Sequence, residues 1–268
     1  MLRKLTEKDR ERVMEFILPE PSFNAFIMGD VENFGFDLGF QEIWSDQNSE
    51  GQISTLMLRF YTNNVVYTKN KETLNGKAVS SFLKRIPGKW ALSGKEWVVD
   101  ELSNGVAFDR IDRQYLAELT SDEFLEPIPS VSVERANEDQ FQQVLSLHRR
   151  IEEFSRFGEN ADAIEYNQKS GTGRTIVVEI DNRVVSCASS AAESSQTAVI
   201  IGVATAHEYR GWGYATACVA GLCKELLREG KTVCLFYDNP AADRIYKRLG
   251  FRDIGRWSMA QFEVKYPW

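Results

Sequence analysis

Val203-Ala204-Thr205-Ala206-His207-Glu208-Tyr209-Arg210-Gly211-Trp212-Gly213-Tyr214-Ala215-Thr216 passes from a strand-like run, through two closely spaced glycines, into a segment with helical periodicity. Glycine at 211 and 213 permits a tight turn and close backbone approach, and the amides that open the following helix have no partner inside it. With the positive end of the helix dipole behind them, the amides from Gly211 to Thr216 suit a negative group, and they read as a pyrophosphate cradle. A tight turn without a ligand is the other reading of the same residues. Neither common nucleotide loop fits: no Gly-Lys-Ser/Thr follows, and Thr216 stands where a dinucleotide fingerprint needs its third small residue.

The flanks agree with a strand–loop–helix unit. Thr197 to Thr205 reads as a strand that Gly202 interrupts, a place for a bulge or close backbone approach, with a plain packing glycine as the alternative. Before it, Arg174 to Ile180 and Arg183 to Ala191 read as strands joined by Asp181 and Asn182, both tolerant of positive φ, so a hairpin is expected. After the loop, Gly213 to Glu229 lines up Ala215, Val219, Leu222 and Leu226 on one helical face and stops at Gly230. Thr232 to Tyr237 is a continuous apolar run of the kind that lies inside a sheet. Asn239 is an N-cap with Pro240 in the first helical position, and Gly250 ends that helix. Phe251 to Gly255 and Trp257 to Val264 then read as two closing strands. Upstream, Val131 to Glu134 reads as a strand, Glu138 to Ile151 as an amphipathic helix, and Asp162 to Gln168 as a weak helix. His148 continues the stripe of Phe141, Val144 and Leu145 and reads as a packed rather than a catalytic histidine.

The prolines of Glu126-Pro127-Ile128-Pro129-Ser130 resist helix and central strand alike and mark a boundary between an N-terminal domain, 1–126, and a C-terminal domain, 131–268. The first half shows a similar order: a starting strand, helices at Glu7 to Leu18 and Phe23 to Asn33, strands at Gln41 to Ser45, Ile53 to Tyr61 and Asn64 to Lys69, and a helix at Gly76 to Arg85. The fold class is α/β (α+β), and an internal structural repeat is expected. Phe34, Phe36, Phe40 and Trp44 read as one aromatic cluster that either lines a substrate groove between the domains or fills a core.

With 268 residues, 43% hydrophobic and 26% charged, the chain has the size and balance of a two-domain globular protein. A net charge of -7 opposes the clustered cations that phosphate-backbone contact requires, so no nucleic-acid partner is expected. No run of apolar residues is long enough for a membrane span, and the charged first residues look unlike a leader, so a cytoplasmic location is expected. Cys187, Cys218, Cys223 and Cys234 lie in apolar stretches and read as buried free thiols. Cys218 and Cys223 point roughly 140° apart on their helix, and with two histidines in the chain no metal site is expected.

Residues 131–265 resemble the GNAT superfamily of N-acetyltransferases. Arg210, Gly213 and Ala215 match its Arg/Gln-x-x-Gly-x-Gly/Ala loop, and Asn239, Tyr246, Gly250 and Phe251 match its downstream Asn, Tyr and Gly-Phe in order and spacing. The resemblance implies a mixed sheet flanked by helices, a strand splayed at the bulge, and acetyl-CoA as co-substrate. Its pantetheine arm would bond to the backbone of Val203 and Thr205, and its pyrophosphate to the loop of Arg210, Gly211, Trp212, Gly213, Tyr214, Ala215 and Thr216, with Asn239 beside the arm. The amide near Val203 would polarise the thioester, and Tyr246 would act as acid to the departing thiolate. Tyr246 also continues the apolar face of Ala242, Ile245 and Leu249, the other reading of its spacing. Glu152, Glu153 and Glu193 are the carboxylates considered as bases, each equally readable as a surface charge. The implied activity is acetylation of a small-molecule or peptide amine. A non-catalytic acyl-CoA sensing or partner-binding module is the alternative, and the intact loop and acidic charge count against a transfer-RNA-dependent aminoacyl-transferase. After its third strand the first half has Lys69 to Gly76 with no such loop, so one coenzyme site per chain is expected.

Overall fold

The computed structural model describes residues 2–85, 88–125, 131–151 and 160–265; the expected boundary at 126–130 lies outside them. Two compact units form, Met1–Leu116 with Ile254–Trp268, and Ala117–Asp253.

In the second unit, β7 (Glu134–Arg135) leads to α5 (Glu138–Arg150) and α6 (Asn160–Ser170). Asn137 and Gln140 form a reciprocal capping box that starts α5. Then come β8 (Thr175–Ile180), β9 (Arg183–Ala191), β10 (Thr197–Thr205), α7 (Tyr214–Arg228), β11 (Thr232–Tyr237) and α8 (Pro240–Arg248). The sheet runs β7-β8-β9-β10-β11. Asp181 and Asn182 both take positive φ, +50° and +59°, and turn β8 into β9 as the sequence leads one to expect. Because β11 runs parallel to β10, α7 must cross over the sheet between them. The crossover buries Val219, Leu222 and Leu226 against Ile176, Val185, Ile200, Val233 and Leu235. Truncating one such leucine to alanine costs about 2–5 kcal/mol.

The first unit repeats the same order. It holds β1 (Arg3–Lys4), α1 (Arg10–Ile17), α2 (Ala25–Phe34), β2 (Gln41–Gln47), β3 (Ile53–Phe60), β4 (Asn63–Tyr67), α3 (Gly76–Leu83), β5 (Gly88–Lys95) and α4 (Glu96–Ser103). The closing strands are exchanged. β6 (Arg110–Leu119), which ends the first repeat, puts Ala117 and Leu119 into the second unit's core. β12 (Arg252–Val264), which ends the second repeat, pairs antiparallel with β5 from Trp257↔Lys95 to Val264↔Gly88.

Two expectations are corrected. Phe251–Gly255 and Trp257–Val264 are not separate strands but the single β12. Gly255 makes room for a ring instead of a turn, since a Cβ there would lie 2.7 Å from Phe23 Cζ. Nor do the four early aromatic residues form one cluster. Phe36 is buried beside the Arg10 guanidinium, Trp44 packs on Phe82, and Phe34 and Phe40 share an edge-to-face group with Phe60.

Candidate functional site

β10 changes partner geometry at Gly202. On its β9 side Ile201 faces Ser189 and Ala204 faces Cys187, so Gly202 and Val203 together oppose one residue, a β-bulge. Gly202 has φ +59°, and a Cβ there would meet Ile164 Cδ1 at 2.5 Å and His148 Cε1 at 2.8 Å, so no other residue fits. On the other side, the parallel register with β11 runs from Thr197↔Thr232 to Ile200↔Leu235 and ends there among the described residues. Beyond the bulge the Ala206 N–H goes to Val185 O, back toward β9. Alternation along a strand therefore turns the N–H and C=O groups of Val203 and Thr205 to the opposite edge, the one β11 has left. Among the described residues, pairing with β11 has ended before this point, so the Val203 N–H and C=O and the Thr205 N–H face an opened strand edge, while the Thr205 carbonyl is taken by the loop that follows.

The loop follows at once. Gly211 and Gly213 take φ +87° and +83°, the left-handed region, and Gly213 is the N-cap of α7 with no side chain to occupy its amides. The first bond of the helix is Ala217 N–H to Gly213 O, and among the described residues no acceptor engages the amides from Gly211 to Thr216. Arg210 Nε reaches back to Thr205 O at 3.3 Å, and Trp212 stands 70% exposed between the glycines. Arg248, at the end of α8, donates to the buried Thr216 Oγ1 at 3.0 Å and so adds a cation at the positive end of α7. A guanidinium there opposes the helix dipole, which favours an anion close by. Sequence reasoning missed Arg248, because its partner lies 32 residues away and no local signal links them.

The opposite wall is β11 and α8. Asn239 is exposed at the start of α8, its carbonyl accepting from Asp243 N at 3.0 Å. Tyr246 is 8% exposed, its ring packed near Tyr237 at 5.6 Å and Phe251 at 5.8 Å. Burial, with Cys223 nearby, pushes its phenol up to about 12. The Tyr237 hydroxyl, with one proton to give, lies 2.8 Å from a carboxylate oxygen of Asp243 and 2.8 Å from one of Asp253, and burial together with those carboxylates raises its phenol as well.

The proposed bases fare differently. Glu152 and Glu153 lie outside the described residues. Glu193 sits in the turn before β10, at the far end of that strand from the bulge, where Arg174 (2.5 Å), Lys231 (3.0 Å) and Ser190 (2.6 Å) hold its oxygens. Although burial opposes it, those hydrogen bonds keep Glu193 below the usual carboxylate range, so it serves as an anchor for cations. All four cysteines are buried free thiols, as the sequence suggests. Among the described residues, no three His, Cys, Asp or Glu side chains group to hold a metal ion, and no helix is long and apolar enough to cross a membrane.

Solved structures share this fold. A tandem GNAT protein from the clavulanic acid biosynthesis pathway matches with a TM-score of 0.63 at 14% identity, over 100% of this chain and 99% of that one. A GCN5-related N-acetyltransferase from Sphaerobacter thermophilus matches at 0.62 and 15% identity, over 100% and 96% of the two chains. A Drosophila protein matches at 0.73 and 9% identity, over 98% and 99%. No curated protein matches the sequence. The family model of the GNAT acetyltransferases matches residues 96–260, which takes in the bulge, the glycine loop and the Asn239–Tyr246 helix, and the chain belongs to that family.

Proposed function

We propose that the second unit binds acetyl-CoA along the open edge of β10 and transfers its acetyl group to an amine of a small molecule or peptide. One observation carries this reading: the strand pairing stops at the bulge, and a loop of unengaged amides follows directly. Val203 and Thr205 would hold the pantetheine arm by their backbone groups. The amides of Gly211, Trp212, Gly213, Tyr214, Ala215 and Thr216, with Arg210 beside them, would take the diphosphate, and Asn239 would face the arm from the other wall. A neutral amine attacks the thioester carbon while the Val203 N–H stabilises the oxygen on which charge grows. The C–S bond then breaks, its electron pair passes to sulfur, and the nitrogen loses its proton to solvent. A phenol near 12 stays protonated throughout, and at that value it serves the thiolate better as a hydrogen-bond donor than by giving its proton up. Tyr246 is given that role.

Calorimetric titration with acetyl-CoA tests the reading, followed by release of free thiol across a panel of amines. Near one-to-one binding that disappears in Gly213→Leu is expected, because leucine at φ +83° costs about 1–2 kcal/mol and closes the cradle. No binding to the intact protein sinks the proposal. Burial of Tyr246 in the core favours a second reading, a non-catalytic acyl-CoA sensing module, which binding without thiol release would support.

A further inference from the structure

Behind the bulge, on the side away from the opened edge, lie two polar groups that the mechanism above leaves unused. His148 of α5 is 2% exposed, and Cys187 of β9 is fully buried. The imidazole Nε2 lies 3.4 Å from Cys187 Sγ, the ring hydrogen bonds to the Gly202 backbone, and the thiol donates to Gly202 O at 3.7 Å. Both groups thus converge on one peptide, the link between Gly202 and Val203.

That peptide is trans, so its C=O and N–H point in opposite directions. Holding the Gly202 carbonyl inward aims the Val203 N–H outward. Burying an imidazole among apolar side chains is costly, and its hydrogen bonds to the bulge and to Cys187 offset part of that cost. We propose that His148, assisted by Cys187, is a positioning residue that fixes the direction of the Val203 N–H and so sets the donor that polarises the bound thioester. This rests on the acetyl-CoA reading. His148 acts as a neutral donor, since burial pulls its imidazole down to about 4 despite the bond to Gly202. Cys187 stays a thiol, its ionisation pushed well up by burial and by Cys218.

The test compares His148→Leu, His148→Gln and Cys187→Ala in the full chain. It follows the Val203 amide resonance in valine-labelled protein, the calorimetric Kd for acetyl-CoA, and kcat with an accepted amine. The leucine variant is expected to move the Val203 resonance and to lower kcat by at least about tenfold, with Kd changed less than about threefold. Glutamine, which can still donate to Gly202 O, should restore most of the turnover. Should the leucine variant not fold, Cys187→Ala is expected to shift the same resonance and lower kcat to a smaller degree. An unmoved Val203 resonance, equal losses of kcat and affinity, or glutamine no better than leucine would each overturn the assignment. If acetyl-CoA does not bind the unaltered protein, the coenzyme reading fails and takes this proposal with it; an unmoved Val203 in a variant that still binds acetyl-CoA removes this proposal alone.

Discussion

At Gly202 a side chain is excluded twice, by φ and by the approach of His148 and Ile164. Gly202→Ala should therefore destabilise the protein by about 1–3 kcal/mol, seen as a lower denaturant midpoint, and should weaken coenzyme binding as the bulge shifts. His148 couples the same place to pH. Its imidazole titrates near 6.5 when unfolded and near 4 when folded, so between those values the unfolded chain holds more protons. Stability is then untouched above 6.5 and falls as pH drops toward 4, by about 3 kcal/mol in all. Denaturant titrations from pH 7 to 4 should show this loss, and His148→Gln should remove it from that window. At Tyr246 the hydroxyl makes no hydrogen bond among the described residues, so Tyr246→Phe breaks nothing structural there. The expected outcome is lower kcat with unchanged acetyl-CoA affinity; equal loss of both would make the phenol structural.

Helix α7 is fastened at both ends, and the two fastenings do different work. Its first turn meets Arg248 through Thr216, beside the loop. Near its last turn, Glu225 and Glu229 join Arg174, Lys231 and Glu193 in an ion cluster around a side chain of Arg174 that is mostly buried. Arg174→Met leaves Glu193 facing only Lys231 among the cluster's cations, and it should lower stability by about 3 kcal/mol. Coenzyme affinity should not change, since the cluster stands roughly the length of β10, about 25 Å, from the loop; a calorimetric Kd that moved with the melting temperature would refute the separation. Elements of this unit were legible because each carries local chemistry: Asp181-Asn182 at the hairpin, Gly230 after α7, Pro240 at the start of α8. Residues 88–119 carried no comparable signal, and β12 looked broken because Gly255 answers to a ring distant in sequence. The turn before α7 could be read from its two glycines, whereas Arg248 with Thr216 and His148 with Cys187 are brought together only by the fold, across 32 and 39 residues.

The whole molecule repeats one order of elements, yet the two units treat the parallel strand pair differently. In the first, β4 pairs with β3 from Leu56↔Tyr67 to Phe60↔Asn63 and with β5 from Asn63↔Ala91 to Val66↔Gly94, without a shift in either ladder. The strands are so close that a Cβ on Gly94 would lie 2.7 Å from Val66 O, which leaves no gap for a pantetheine arm. The start of α3 is closed too. Asn75 accepts from Ala78 N at 3.1 Å, where α7 has a bare glycine, and Asn70 caps the preceding turn through Thr73 N. The two features on which the coenzyme proposal rests, an opened strand edge and amides unengaged among the described residues, are thus both missing from the first unit and both present in the second. Titration of the full chain with acetyl-CoA should saturate at one per chain, and Gly213→Leu should abolish the isotherm outright. A stoichiometry near two, or a residual half-amplitude isotherm in that variant, would mean that the first unit opens its β4–β5 edge in solution, and the assignment of a single site would have to be abandoned.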